Sequence, residues 1–139
     1  MPAEPLRPED LYRFRWIDHP RLDPSGSRVA YQLSWADRDQ QDYRGAVVVR
    51  DLGTGSELTV ASSGGRDRFP EWSPDGSRLC FSGRTDRLDQ LYVADPAGGE
   101  SQRLTDLPFG VRQARWSPDG SRLAFLAPVL EDPGAVVPD

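Results

Sequence analysis

The chain reads as all-β, a partial β-propeller with a short N-terminal helix, and three observations lead there. The eight residues Trp72 to Leu79, WSPDGSRL, return unchanged at Trp116 to Leu123, and a looser copy, LDPSGSRV, stands at Leu22 to Val29. The prolines of the copies, Pro24, Pro74 and Pro118, lie 50 and 44 residues apart, the period of units that each form one propeller blade. Each copy also has the same parts in the same order: an apolar residue, a turn holding Pro and Gly, an Arg, then an apolar run such as Leu79-Cys80-Phe81 or Leu123-Ala124-Phe125. That order spells strand, tight turn, strand.

The structural repeat is expected to rest on eight residues: Trp72, Pro74, Asp75 and Gly76, with Trp116, Pro118, Asp119 and Gly120. Pro74 fixes φ near the value wanted at the second position of a type I turn, Asp75 suits the third, and Gly76 can take φ > 0 and start the return strand. Ser25 and Gly26 satisfy the same geometry in the first copy. Trp72 and Trp116 stand just before their turns, where an indole can cover a neighbouring sheet. Burying roughly 200 Å² at about 25 cal/mol per Å² bounds each contribution at about 5 kcal/mol, so both read as packing posts.

Length sets the number of units. A closed propeller takes at least four blades of about 40–45 residues, and 139 residues fall short of that. The reading is therefore about two and a half four-stranded blades of WD-like SPDG repeats. Residues 1–17 form an opening segment and 18–139 an incomplete propeller: blade one over 18–61, blade two over 69–105, half of blade three over 111–127, and a proline-rich tail over 128–139.

In chain order, Pro8-Glu9-Asp10 opens a helix expected over about 8–15, since Pro suits the first helical position and acids suit the first turn. Leu11, Phe14 and Trp16 then present an apolar side that needs a partner. Blade one is expected to place strands near 18–22, 27–35, 45–51 and 56–61, with Ala46-Val47-Val48-Val49 buried on both faces and Ala36 to Asp42 as a charged loop. Blade two repeats the plan near 69–72, 78–83, 90–95 and 101–105, with Pro96-Ala97-Gly98-Gly99 as its last turn. Blade three starts at Val111 and its pattern stops near Ala127, two strands short.

Composition removes several classes. A net charge of -5 and a pI near 4.9 give no basic face for nucleic acid or an anionic membrane, so neither partner is expected. One cysteine, Cys80, excludes an internal disulfide and a cysteine metal cluster, and its place between Leu79 and Phe81 suits a buried, inert thiol. No signal-peptide core or 18-residue apolar run occurs, which reads as cytoplasmic.

No catalytic set is expected in the chain. There is no Gly-x-Ser-x-Gly elbow, and the single histidine, His19, precedes Pro20 at the start of a strand. The Gly-Gly pairs at 64–65 and 98–99 read as hairpin turns, since no helix follows them to cradle a phosphate. No catalytic, cofactor-binding or metal residue is assigned, and no cofactor.

The repeated WSPDGSRLxF core, the Arg-Leu-Thr at 103–105 that closes a blade, and the opening PEDLYRFRWIDHPRLDPSGSRVAY together resemble the start of bacterial acylaminoacyl-peptidase-like members of the prolyl oligopeptidase family, over residues 8–127. The resemblance implies a seven- or eight-bladed propeller that limits substrate access, a covalently attached C-terminal α/β-hydrolase domain carrying a Ser-Asp-His triad, and peptide substrates that are short or N-acylated. It also implies that the N-terminal segment packs on the hydrolase domain. The SPDG repeats resemble Tol-system propellers as well, and that implies a non-enzymatic module binding protein partners. On either reading the open blade edges invite self-association.

Overall fold

The computed structural model describes residues 4–60 and 64–131. The expected strand at 56–61 and the tail at 128–139 therefore lie partly outside the described residues. A six-residue 3-10 helix, Pro8–Arg13, is followed by ten strands: β1 Trp16–Leu22, β2 Arg28–Asp37, β3 Asp42–Asp51, β4 Glu57–Val60, β5 Arg68–Trp72, β6 Leu79–Thr85, β7 Leu88–Ala94, β8 Gln102–Arg103, β9 Ala114–Trp116 and β10 Leu123–Phe125. Strands β1 to β4 form one antiparallel sheet in chain order, β5 to β8 a second, and β9 and β10 a two-stranded third. The fold is all-β, a partial propeller. No described helix is long and apolar enough to cross a membrane.

The opening helix is shorter and tighter than the run 8–15 expected from sequence. Asp10 secures its start in a capping box: its carboxylate accepts the Arg7 N–H at 2.9 Å and binds Arg13 at 3.1 Å. Trp16 belongs to β1, where it pairs with Ser34, because β2 runs on to Asp37 and offers backbone partners that far. The charged loop expected over 36–42 narrows to a turn over 38–41, with Ala36, Asp37 and Asp42 taken into the sheet. Asp37 pairs with Asp42 across a tight hairpin whose Asp39 and Gln40 N–H groups donate to the Asp37 carboxylate at 3.0 and 3.2 Å.

The core lies between the sheets. Ala30, Val47, Val49 and Val60 of the first sheet meet Trp72, Leu79, Phe81, Tyr92 and Ala94 of the second. Side chains alternate along a strand, so Cys80 faces the other way, into a cluster with Leu91, Val111 and Ala114 that Trp116 and Leu123 of the third sheet help cover. Burial there pushes the Cys80 thiol up to about 12. Phe81 and Tyr92, opposite one another in the register, stack at 5.7 Å.

Strand β8 is only two residues long, and a side chain completes the closure. Thr105 accepts the Leu91 N–H at 2.9 Å through its hydroxyl, which donates to buried Gln90 at 2.8 Å. This is the physical content of the Arg-Leu-Thr signal. The Gly98-Gly99 pair follows Asp95, whose carbonyl accepts the Gly98 N–H at 3.1 Å. Gly64-Gly65, by contrast, is not a hairpin turn. It leads from the first sheet into the second, and the Gly65 carbonyl accepts the Gly45 N–H at 3.1 Å.

Candidate functional site: blade joints and a rim pocket

The Pro-Gly turns all lie at one end of the strands. In the second copy, Ser73 N–H donates to the Arg78 carbonyl and Gly76 N–H to the Ser73 carbonyl, both at 2.9 Å, leaving Pro74 and Asp75 in the middle and Gly76 at φ +71°. Ser117, Pro118, Asp119 and Gly120 repeat this, with the same two distances and Gly120 at φ +70°. The Asp75 carboxylate accepts from the Ser73 hydroxyl at 2.7 Å and the Ser77 N–H at 3.0 Å. These bonds, the Ser73 hydroxyl foremost, hold its pKa down at about 2, and the Ser117 hydroxyl leads the same effect on Asp119, also at about 2.

In the first copy the two partners change places. Asp23 stands where Ser73 does, and Ser25 where Asp75 does. Asp23 accepts the Ser27 and Arg28 N–H groups at 3.0 Å, the Ser25 hydroxyl at 2.9 Å and Arg28 Nε at 3.1 Å. Burial pushes its pKa up, but the bonds from Arg28 and Ser25 outweigh burial and leave the carboxyl lowered.

Between sheets the copies lock in register. Trp72, only 8% exposed, donates its indole N–H to the Arg21 carbonyl at 2.9 Å, and Trp116 donates to the Glu71 carbonyl at 3.2 Å. Arg21 and Glu71 are equivalent positions, each one residue before the letter that opens its repeat. The Arg28 guanidinium lies over the Trp72 ring, 4.7 Å from its centroid, and donates to the Gly76 carbonyl at 2.9 Å. The turns also stack: a Cβ at Gly76 would lie 3.3 Å from Pro24 Cδ, and one at Gly120 would lie 3.5 Å from Pro74 Cδ. Leu22 occupies the tryptophan position of the first copy and is 62% exposed.

A charge ladder runs beside these joints. Glu71 Oε1 accepts from Arg21 Nε at 2.9 Å and also pairs with Arg115, so one carboxylate ties three neighbouring inner strands. Sequence reasoning missed Arg21, Glu71, Arg115 and Arg28. The available signal was the alternation of charge sign at the position before each repeat. Also unforeseen are two bulges, where β1 and β5 slip register. His19 and Phe69, each before a proline, sit there at φ 50° and 57°, and their rings meet edge-on at 4.7 Å. His19 is thereby a packing residue.

The end of the sheets away from the Pro-Gly turns holds a pocket of about 420 Å³. Trp16, Gln32, Tyr43 and Arg44 of the first sheet line it, with Arg66 and Arg68 at the start of the second. Arg66 pairs with Asp42, and Arg68 with Asp89. Among the described residues no group of three or more His, Cys, Asp or Glu could hold a metal ion.

Antiparallel blades in chain order, joined face to face through a repeated tryptophan and a stacked turn, define a β-propeller segment. The chain belongs to the TolB beta propeller domain family, which it matches over residues 15–128. It is 34% identical over 104 residues to the uncharacterized peptidase YuxL of Bacillus subtilis, a match spanning 74% of this chain and 16% of that protein. Among solved structures, the acylaminoacyl peptidase of Pyrococcus horikoshii superimposes with a TM-score of 0.73 at 24% identity, over 94% of this chain and 20% of the enzyme. The β-propeller domain of the Trilobed protease from Pyrococcus furiosus gives a TM-score of 0.68 at 22% identity, over 82% of this chain and 34% of that one. The chain thus spans about a sixth of the peptidase it resembles in sequence. These likenesses agree with the propeller of peptidase-like proteins that the repeats and the opening segment resemble.

Proposed function

We propose that the chain is the N-terminal propeller portion of a cytoplasmic serine peptidase acting on short or N-acylated peptides, the propeller limiting access to a hydrolase domain that carries the catalytic triad. In this reading Trp72, Pro74, Asp75 and Gly76, with Trp116, Pro118, Asp119 and Gly120, hold blade to blade and take no part in chemistry.

The supporting observation is the state of the opening segment. The 3-10 helix buries none of its residues, and Leu11, Phe14 and Trp16 are 38%, 45% and 36% exposed. Apolar residues left bare on an ordered segment call for a covering body, and a hydrolase domain packed on this segment supplies one.

The test is to read the frame beyond Asp139 and assay its product beside the 139-residue chain on an N-acetylated peptide anilide. The longer product is expected to carry a Gly-x-Ser-x-Gly elbow and to lose activity on Ser→Ala at the elbow, while the chain alone is inactive. A frame that stops after its last blade would instead support a Tol-type binding module, the second reading that the family match allows.

A further inference from the structure

We propose that the rim pocket binds the C-terminal end of a peptide, taking the terminal carboxylate on Arg44 and Arg68 and the last backbone N–H on Gln32. The proposal stands on the pocket alone and needs no hydrolase domain. Two buried polar side-chain atoms lack a hydrogen-bond partner among the described residues, Gln32 Oε1 and Arg68 Nε, and both residues line this one pocket. Gln32 is 9% exposed, and its amide nitrogen is already committed to the Ser34 hydroxyl at 2.9 Å. Buried polar atoms are nearly always satisfied, because leaving one bare costs the loss of its hydration. An unused acceptor and an unused donor in one cavity describe a ligand with an N–H and an anionic or carbonyl oxygen.

Charge selects the anion. Arg68 Nη2 pairs with Asp89, whose other oxygen accepts from Arg84 at 3.0 Å, while the buried Nε–H of Arg68 has no partner among the described residues. Arg66 is held by Asp42. Arg44 is thus the arginine of the lining that no carboxylate holds among the described residues. One arginine left without a carboxylate suits a ligand with a single carboxylate. A phosphate would bring further oxygens toward Gln32 Oε1, which can only accept. Trp16 and Tyr43, edge to face at 6.2 Å, supply an apolar wall for the last side chain. A volume of about 420 Å³ takes a ligand of one or two residues.

The experiment is calorimetric titration of the folded chain with N-acetyl-Gly-Phe, its C-terminal amide, hydrocinnamate (the ring and carboxylate without the N–H) and inorganic phosphate. N-acetyl-Gly-Phe is expected to bind, with the amide and hydrocinnamate each about tenfold weaker or more. Arg44→Gln and Gln32→Leu should each weaken binding by about tenfold, while Gln32→Leu melts at or above the parent because it removes a bare buried amide. Equal binding of acid and amide, phosphate binding as tightly as the peptide, or no heat up to about 10 mM ligand would each overturn the proposal. Hydrolysis plays no part in the readout, so failure here leaves the peptidase reading standing, and the reverse also holds.

Discussion

The indole N–H of Trp72 and the carbonyl of Arg21 meet at 2.9 Å across the boundary between two sheets, and Trp116 and Glu71 repeat the bond at 3.2 Å across the next boundary. One side chain thus packs a core and ties two blades. Trp72→Ala should cost about 3–5 kcal/mol, as large aromatic truncations in cores do. Trp72→Phe, which keeps a ring and loses the donor, should cost about 1–2 kcal/mol. Chemical denaturation of the two variants measures both. A Trp72→Ala chain that unfolds with the parent would show that the joint holds nothing.

Glu71 is the one carboxylate shared by Arg21 and Arg115, and its side chain is only 13% exposed. Glu71→Gln keeps the shape and removes the charge, leaving two arginines facing each other. The expected loss is about 1–3 kcal/mol, toward the lower figure because Arg21 and Arg115 both reach solvent. A double-mutant cycle with Arg21→Gln should show coupling. Additive losses would mean that the ladder is decoration on a joint made by tryptophan alone.

Gly26 and Gly76 have nearly the same backbone, φ +73° and +71°, but different neighbours. A Cβ at Gly26 meets nothing within 4 Å, whereas one at Gly76 lies 3.3 Å from Pro24 Cδ. Gly26→Ala should therefore cost only the left-handed backbone strain, about 1–2 kcal/mol. Gly76→Ala should cost more, because its methyl also pushes on the neighbouring turn. Equal melting temperatures for the two variants would dismiss turn stacking as a source of stability.

Asp75 and Asp119 titrate at about 2 in the folded chain, below the ordinary 3.8. A carboxyl lowered on folding stabilises the fold above its unfolded value, and that contribution fades as pH falls through the folded one. Stability should thus decline between about pH 4 and pH 2. Asp75→Asn with Asp119→Asn should flatten that decline, as read from urea midpoints across the window. Cys80 titrates far above this range and should stay unreactive to thiol reagents until the chain unfolds.

Apolar residues remain bare at both open ends of the array: Leu22 at 62% exposed on the first blade, and Phe125 and Leu126 at 42% and 63% on the last strand pair. The isolated chain should self-associate, with apparent mass rising over a concentration series in light scattering and with apolar-dye binding above that of an ordinary monomer. A dye-silent monomer would mean that two and a half blades suffice by themselves.

The all-β propeller class was legible because blades are copied, and copies show in sequence without any knowledge of the fold. The ladder was not, since Arg21, Glu71 and Arg115 are separated by whole blades and become neighbours only once β1, β5 and β9 lie side by side. The bulges were hidden for another reason: a residue before proline normally stays extended, so His19 and Phe69 gave no local hint of positive φ. The stretch 36–42 misled only at its ends, where Ala36, Asp37 and Asp42 pair although charged neighbours made the whole run look like loop. Gln32 and Arg68 come from different blades, and their bare atoms appear only in three dimensions.

The tryptophan joint also has a direction. Each later blade supplies the donor and each earlier one offers only a peptide carbonyl, whose side chain is Arg at position 21 and its opposite, Glu, at position 71. That bond by itself therefore demands no particular side chain of the accepting residue. A gene segment encoding one blade could be duplicated and its product would find a ready seat on whatever precedes it, and a chain emerging from the ribosome could fasten each blade to one already made. Leu22 stands at the tryptophan position of the first copy, so that sheet carries no indole donor there and its leucine is left 62% exposed.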